Sequence, residues 1–255
     1  MKCVAVIPAR WQSSRFKGKV LAEINGKPII QHVWERIKKC QRVDDVLVAV
    51  DKEKVFKAVE SFGGKAVYTS PEHASGSDRI AEVMKSVSAD IVVNVQGDEP
   101  LVQPSMIDDL VRVFEYEKNI QMATVIKRVN KKSDIDDPNV VKVVVDCRGF
   151  ALYFSRSPIP HIRADVRSAI TSEEELCGRY FKHIGLYAYT RDFLLTFTNL
   201  PKSSIEQDEK LEQLRALAHG FKIKTVETRF DTVGVDTPED LENVRVLMTA
   251  ANNNG

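Results

Sequence analysis

The 255-residue sequence has no long apolar run and almost no net charge. No stretch approaches the roughly 18 consecutive apolar residues that span a bilayer, and the formal charge is +1. These two features argue against a membrane-spanning protein and against a surface built to bind nucleic acid. The first apolar segment is short and ends at Pro8, so it predicts a strand rather than a signal peptide.

Cysteine is also scarce. The chain has four cysteines, which are Cys3, Cys40, Cys147 and Cys177. They stand far apart, and their spacing does not match that of a metal site. This pattern is typical of reduced thiols and predicts a cytoplasmic protein.

The sequence lacks two common phosphate-binding fingerprints. Neither GxxxxGK[ST] nor GxGxxG occurs, so a P-loop or a Rossmann dinucleotide turn is not expected. Any phosphate site must therefore be built from other residues. The length allows one large α/β domain, or a domain with a subsidiary lobe.

The first half of the chain alternates apolar strands with amphipathic helices. Predicted strands cover 3–8, 46–50, 66–68, 91–95 and 122–127, and predicted helices cover 28–40, 52–62, 77–87 and 104–116. Strands that are continuous Val/Ile runs, separated by helices, predict a mostly parallel central sheet covered on both faces. The fold class is therefore α/β.

The pattern changes in the second half. Segments 140–146 and 150–155 predict an antiparallel hairpin, and 182–190 predicts a further alternating strand. The chain then predicts a helix over 206–219, a strand over 222–228 and a helix from 237 to about 248. We interpret 1–255 as a single domain, with approximately 140–200 forming an inserted antiparallel β subregion.

A basic loop follows the first strand. Arg10, Arg15, Lys17 and Lys19 lie close together in the sequence, with Ser13, Ser14 and Gly18 among them. The loops at the carboxyl ends of strands form the ligand crevice of an open α/β sheet. Cations and small residues there suit a polyanion such as a triphosphate, although a solvated charged loop has the same composition.

Two aspartates elsewhere in the chain lie next to predicted elements, Asp98 at the end of a strand and Asp236 at the start of a helix. Asp98 follows the buried strand 91–95 directly, inside the stretch VNVQGDEP. Asp236 precedes a helix start, where it is either a metal ligand or an N-cap that competes with Thr237. Two carboxylates near a triphosphate would hold Mg²⁺, which bridges to the phosphate oxygens.

Each of the remaining polar candidates has two interpretations, one functional and one structural. His183 and Tyr187 share one face of the strand 182–190, where they suit a polyhydroxylated ligand or belong to the core. Glu212 and Gln213 lie off the leucine stripe of the predicted helix, which usually means a solvated face. Arg156 suits a carboxylate clamp or a surface salt bridge. Ser77 is a plausible N-cap for the helix that follows it.

These stretches together resemble the 3-deoxy-manno-octulosonate cytidylyltransferase family, the CMP-Kdo synthetases. IPAR, SGSDR, VNVQGDEP, ALYFSRSPIP, HIGLYAY, LEQLR and GVDTPEDL all occur in the order of that family, nearly from end to end. The resemblance implies a nucleotide-diphospho-sugar transferase-like fold and a Mg²⁺-dependent, cytoplasmic homodimer. It also implies conversion of CTP and Kdo to CMP-Kdo and pyrophosphate for lipopolysaccharide biosynthesis, with sugar binding and dimerisation in the β subregion.

The resemblance assigns roles residue by residue. The nucleotide-binding residues would be Arg10, Ser13, Arg15, Lys19, Ser77 and Arg79. The metal ligands would be Asp98 and Asp236, which with Lys19 form the catalytic group. The residues that bind the sugar acid would be Gln96, Arg156, His183, Tyr187, Glu212 and Gln213.

The sequence departs from the family pattern in its first loop. Prolines that relatives carry there are absent from the stretch Arg15 to Val20, and Ala74 stands where relatives often have glutamine. Three alternatives stay open on the residues alone. They are a cytidylyltransferase for amino-Kdo or sialic acid, a glycosyltransferase of the same fold, and a nucleotide-binding protein without catalysis.

Overall fold

The computed structural model describes residues 1–12 and 15–253. Its described strands are β1 Cys3–Ala9, β2 Glu23–Ile24, β3 Lys27–Pro28, β4 Asp45–Val50, β5 Lys65–Tyr68, β6 Ile91–Asn94, β7 Met122–Arg128, β8 Lys142–Val145, β9 Ala151–Ser155, β10 Phe181–Thr190 and β11 Ile223–Glu227. A 3₁₀ turn covers Lys19–Leu21. The described helices are α1 Ile29–Ile37, α2 Glu53–Ser61, α3 Gly76–Ser86, α4 Pro104–Tyr116, α5 Lys132–Asp136, α6 Ala164–Ser168, α7 Glu173–Cys177, α8 Arg191–Asn199, α9 Ser204–Glu209, α10 Leu214–Ala218 and α11 Pro238–Asn253.

One mixed sheet organises these elements. Its main path runs β11-β7-β10-β6-β1-β4-β5, and the β8–β9 hairpin joins it through β10. The pairs β1–β4, β1–β6, β4–β5 and β11–β7 are parallel, which confirms the predicted mostly parallel sheet. The carboxyl ends of β1, β4, β6, β7 and β11 therefore lie along a single edge.

The strand predicted at 182–190 has an unexpected position. It forms β10, which runs antiparallel between β6 and β7 in the middle of the sheet. The predicted hairpin is confirmed as β8 and β9, which pair antiparallel and extend from β10. The bounds of the inserted subregion stay a prediction, but its last strand is a central element of the fold.

Both faces of the sheet are buried, each in its own hydrophobic cluster. Along β1, Ala5 and Ile7 contact the cluster that contains α1, α2 and α4, whereas Val4 and Val6 contact the cluster of α3 and α8. This alternation explains why the strands are continuously apolar. All four cysteines are free thiols, and no helix in the described ranges is long and apolar enough to cross a membrane.

The helix predicted over 206–219 is wrong as a continuous element. It is divided into α9 and α10, and Lys210 between them adopts a left-handed conformation with φ of 53°. The leucine spacing satisfied the helical period, but the chain turns there and changes the direction of the residues that follow. Glu212 and Gln213 lie in this turn rather than on a helix face.

Candidate active site

A cleft opens at the carboxyl edge of the sheet, between β1, β6 and the start of α3. Its lining includes five residues that the sequence analysis assigned to a site: Arg10, Lys19, Arg79, Gln96 and Asp98. Gly97 permits the close approach of the two strand ends, since a Cβ atom there would lie 3.0 Å from Pro8 O. The first loop and the VNVQGDEP turn therefore converge in the structure, as the sequence predicts.

The first loop is anchored without the missing prolines. Gly18 has a φ of 74°, its N–H donates to Trp11 O at 2.9 Å, and a Cβ atom at this position would overlap the Trp11 ring. Phe16 packs against a small cluster around Ile24 and Val235. These contacts fix the backbone just before Lys19. Ser13 lies outside the described residues, so its predicted phosphate role stays a prediction.

The two candidate metal ligands meet at one ammonium group. Lys19 Nζ donates to Asp98 Oδ2 and also, at 2.8 Å, to Asp236 Oδ1. Arg15 Nη2 donates to Asp236 Oδ2 at 2.7 Å. The structure thus brings together two aspartates from distant parts of the chain, and it pairs both with cations of the basic loop.

Burial and charge compete in this group. Burial alone would lower the pKa of the Lys19 ammonium, but Asp98 and Asp236 outweigh it and raise that pKa above its ordinary value. Burial alone would raise the pKa of the Asp236 carboxyl, yet Lys19 and Arg15 lower it. Lys19 is therefore charged, and Asp236 ionised, throughout the physiological pH range.

The start of α11 leaves Asp236 free for this role. Thr237 Oγ1 accepts the hydrogen bond from the Asp240 N–H at 3.2 Å, so Thr237 caps the helix. The Val235 N–H donates to Asp98 O at 2.9 Å. This backbone bond holds the turn before α11 against the turn after β6. The N-cap reading of Asp236 is therefore wrong.

Arg79 is a buried residue that stabilises the wall of the cleft. It is 2% exposed, and its guanidinium donates to Thr69 Oγ1 and lies 3.6 Å from Asp51 Oδ2. Asp51 Oδ1 in turn accepts from the Trp11 N–H at 2.9 Å. Through Asp51, Arg79 therefore connects α3 to the end of β4 and to the first loop. Its side chain also lines the cleft.

Ser77 is not the N-cap of α3. Ser75 is the cap, and it forms a capping box with Asp78. Ser77 Oγ instead donates to Glu212 Oε2 at 2.6 Å. This bond joins the start of α3 to the turn between α9 and α10, which brings a residue assigned to the nucleotide beside one assigned to the sugar acid.

Glu212 and Gln213 are not on a solvated face. Gln213 is only 4% exposed. Glu212 Oε1 and Gln213 Nε2 are buried, and neither has a hydrogen-bond partner in the described residues. Glu212 Oε1 lies 3.6 Å from Arg215 Nη2, which is too long for a hydrogen bond. Glu212 Oε1 therefore has only a long ion pair and Gln213 Nε2 has no hydrogen bond, so both atoms could still bond to a polar ligand.

His183 and Tyr187 are neighbours on β10, with ring centroids 5.3 Å apart. Burial lowers the pKa of His183 to about 3, so the ring is neutral. Thr124 Oγ1 donates to Leu186 O at 2.9 Å and lies 2.9 Å from His183 Nε2. This network assigns the proton to Nε2 and leaves Nδ1 as an acceptor.

Arg156 is held by backbone carbonyls. Its Nε donates to Glu209 O at 2.7 Å and its Nη1 donates to Pro138 O at 2.9 Å. The surface salt bridge that composition allowed is not what fixes this side chain. Because guanidinium has five N–H groups, these two bonds orient the fork and leave donors for a carboxylate.

Gln96 completes the set assigned to the sugar acid. It lines the cleft, and its Nε2 donates to Asn94 Oδ1 at 2.9 Å, at the end of β6. Tyr187 pairs with that same Asn94 across the β6–β10 ladder. Gln96 therefore lies where the phosphate cleft and the polar face of β10 meet.

Two residues near the centre were missed. Glu99 is half-buried, and burial, with a smaller contribution from Asp98, raises the pKa of its carboxyl to about 7. His73 lines the cleft and pairs with Glu82. The two adjacent acids of VNVQGDEP were a signal for Glu99, but the sequence analysis assigned a role to Asp98 alone. No motif or spacing in the sequence points to His73.

The donor set fits one magnesium ion. Mg²⁺ takes oxygen ligands and commonly binds one or two carboxylates, with phosphates and waters completing its shell. Asp98 and Asp236 are two carboxylates held at one point beside a basic cleft. Within the described ranges, no group of three or more His, Cys, Asp or Glu residues could hold a metal. Phosphate oxygens and waters would complete the shell of an ion held by these two carboxylates.

Comparison with known proteins is consistent with this chemistry. The family model described as "Cytidylyltransferase" matches residues 4–224. The chain is similar to the 3-deoxy-manno-octulosonate cytidylyltransferase of Geobacter metallireducens, with 51% identity and coverage of 96% of each chain. It is also similar to that of Geotalea uraniireducens, with 50% identity and coverage of 96% of this chain and 98% of the other.

Solved structures give the same result. The structure of a CMP:2-keto-3-deoxy-manno-octonic acid synthetase complexed with CTP matches with a TM-score of 0.90 and 45% identity, over 98% of this chain and 100% of that chain. An inositol-1-phosphate CTP transferase from T. maritima matches with a TM-score of 0.66 and 16% identity, over 96% of this chain and 94% of that chain. The second match concerns the fold alone.

Proposed function

The chain belongs to the family of 3-deoxy-manno-octulosonate cytidylyltransferases, and we infer that it transfers CMP from CTP to Kdo and releases pyrophosphate. The observation that supports this most directly is the meeting of Asp98 and Asp236 at one point of a basic cleft. Ser77, at the start of the helix that borders this cleft, bonds to Glu212, and Glu212 Oε1 and Gln213 Nε2 are buried without a hydrogen-bond partner among the described residues. A triphosphate and a polyhydroxylated acid would thus be adjacent.

We propose that the chain's cations hold the triphosphate. Arg10 and Lys19 line the cleft, and Arg15 lies within hydrogen-bonding distance of Asp236. Their charges would neutralise the phosphate oxygens and stabilise the pyrophosphate as it leaves. Asp98 and Asp236 would hold Mg²⁺. When bound, that ion would supply charge neutralisation and lower the pKa of the attacking hydroxyl.

The sugar acid would bind on the other side of Gln96. His183 Nδ1 and Glu212 Oε1 would accept from sugar hydroxyls, and Gln213 Nε2 would donate. Since His183 is neutral, it would not attract the carboxylate, and Arg156 is the proposed partner for that group. This arrangement would direct the anomeric hydroxyl towards the α-phosphorus for in-line displacement.

We also propose that the enzyme is a cytoplasmic homodimer that supplies activated Kdo for lipopolysaccharide. Support for a dimer comes from β9, which pairs only with β8 among the described strands and exposes Leu152 by 60%. An apolar residue on an unpaired edge strand suits an interface. Light scattering should give twice the chain mass for the wild type and a lower mass for Leu152→Lys. A monomeric wild type would refute the dimer.

Pyrophosphate release tests the reaction and the substrate together. The purified enzyme is given CTP and Mg²⁺ with Kdo, amino-Kdo or sialic acid in parallel assays. We expect release with Kdo at the highest kcat/KM. Faster release with either of the other acids would move the assignment to that substrate, and no release with any of them would contradict cytidylyl transfer.

A further inference from the structure

Both candidate metal ligands, Asp98 and Asp236, already contact one cation, the ammonium group of Lys19. Lys19 Nζ hydrogen-bonds with Asp98 and Asp236, and its side chain is only 12% exposed. Arg15 adds a second positive charge beside Asp236. Two carboxylates and two cations carry no net charge, so the group is electrostatically balanced before a ligand binds.

A divalent ion could not join this group in its present arrangement. An ammonium in contact with both Asp98 and Asp236 would lie within a few ångströms of any metal bound by the same oxygens. Repulsion between such close charges is strong, and the Lys19 side chain, at 12% exposure, is only weakly screened by water. Lys19 must therefore leave the two carboxylates when a metal binds to them.

The structure allows this movement in the side chain alone. The Gly18 N–H donates to Trp11 O and the Ala22 N–H donates to Lys19 O, both at 2.9 Å, so the backbone on either side of Lys19 is fixed. The lysine side chain is a flexible four-carbon stem that carries three donors. It lines the same cleft as Arg10 and Gly76, where phosphate oxygens would offer it new acceptors.

We propose that Lys19 occupies the metal position until a nucleoside triphosphate draws its ammonium onto the phosphates. This inference rests on the proposed function, and it makes metal and nucleotide binding cooperative. The metal alone binds weakly because it must displace Lys19 into water. With the triphosphate present, displacement gives Lys19 a new partner, and by linkage each ligand raises the affinity for the other by the same factor.

Binding of Mn²⁺ without nucleotide tests the exchange directly. The paramagnetic signal of free Mn²⁺ is titrated with the full-length wild type and with Lys19→Met, which keeps the stem but removes the charge. We expect the variant to bind Mn²⁺ at least about tenfold more tightly. The matched control is Lys17→Met, which removes the same charge from an exposed position two residues earlier and should change the affinity by less than about twofold.

Further variants separate displacement from general charge. Lys19→Arg should keep the weak binding, and Lys19→Met combined with Asp98→Asn should lose the gain. Equal effects of Lys17→Met and Lys19→Met, or wild-type affinity in Lys19→Met, would overturn the proposal. If Lys19→Met does not fold by circular dichroism, Lys19→Gln makes the same comparison. Because no turnover is measured, failure of the exchange is distinguishable from failure of cytidylyl transfer.

Discussion

The residues proposed for the nucleotide and those proposed for the sugar acid satisfy their polar atoms in opposite ways. On the nucleotide side, formed by Arg15, Lys19, Asp98 and Asp236, the cations and carboxylates pair with one another. On the sugar side, formed by His183, Tyr187, Glu212 and Gln213, the buried atoms Glu212 Oε1 and Gln213 Nε2 have no hydrogen-bond partner among the described residues. The nucleotide side must therefore exchange partners when it binds, whereas these two atoms on the sugar side can bond to a ligand without giving up a hydrogen bond.

This difference has an energetic consequence. A buried polar atom without a partner costs about 1–3 kcal/mol, which a ligand recovers when it supplies the hydrogen bond. An ion pair that must open gives back little, because the new contacts replace old ones. The sugar side should thus carry affinity and selectivity, and the nucleotide side should carry the coupling between metal and triphosphate.

The largest expected effect comes from the nucleotide side. Asp98→Asn removes one of the two carboxylate charges that would hold the metal, so turnover should fall on the order of 10³-fold in the pyrophosphate assay. The fold should be intact by circular dichroism. Asp192→Asn is the control, since that side chain is 95% exposed at the start of α8. Near-normal activity of Asp98→Asn at saturating Mg²⁺ would refute the metal assignment.

The second effect concerns the anchor of the first loop. In Gly18→Ala the new methyl would overlap the Trp11 ring at a φ of 74°, so the backbone must shift and misplace Lys19. We expect the Kd for CTP to rise about 30-fold, by calorimetry. Gly26→Ala is a matched control, because Gly26 has a φ of 75° with open space around its Cα. It should lose about 1 kcal/mol of stability and no CTP affinity; equal loss of CTP affinity in both variants would contradict the anchor.

The third effect distinguishes the two sides most clearly. Gln213→Leu removes a buried donor that has no hydrogen-bond partner in the part of the chain that the structure describes. We therefore expect the free enzyme to become more stable in urea while the KM for Kdo rises about tenfold. The Kd for CTP should not change. The control is Gln207→Leu on the exposed face of α9. A loss of stability, or weaker CTP binding, would contradict the conclusion that the Gln213 amide serves only to bind the sugar acid.

The smallest effect concerns Glu99 and pH. Its folded pKa is about 7 against an ordinary 4.5, so the neutral carboxyl favours the folded state. That contribution is fully present below pH 4.5 and is lost as the pH rises through 7. Relative to the wild type, Glu99→Gln should therefore gain on the order of 1 kcal/mol of stability between pH 5 and pH 8.

Thermal unfolding at these two pH values checks the prediction. The control is Glu72→Gln, which alters a carboxyl on the exposed loop before α3. If the pH-dependent gain of Glu99→Gln does not exceed that of this control, burial does not perturb the Glu99 carboxyl.

Local patterns predicted the first half of the fold well because its strands and helices follow single periodicities. The turn at Lys210 could not be predicted in this way, since Leu211, Leu214 and Leu217 keep a helical spacing through it. A contact between residues far apart in the sequence, the bond from Ser77 to Glu212, joins this turn to α3. The central place of β10 is equally non-local, because strand order depends on pairing that no segment encodes by itself.

The candidate site shows the same division. The convergence of Asp98 with the basic loop followed from the rule that parallel strands end at one edge. The burial of Gln213 did not follow, because a helical wheel placed it on a solvated face. The cap of α3 was predictable in principle, since Ser75 and Asp78 have the spacing of a capping box.

A crystal structure with CTP and Mg²⁺ tests the central claim most directly. The account predicts one metal bound by both Asp98 and Asp236, with Lys19 Nζ moved from these carboxylates to the phosphates. A structure in which Lys19 still bridges the two aspartates, with the metal and triphosphate bound elsewhere, would contradict it.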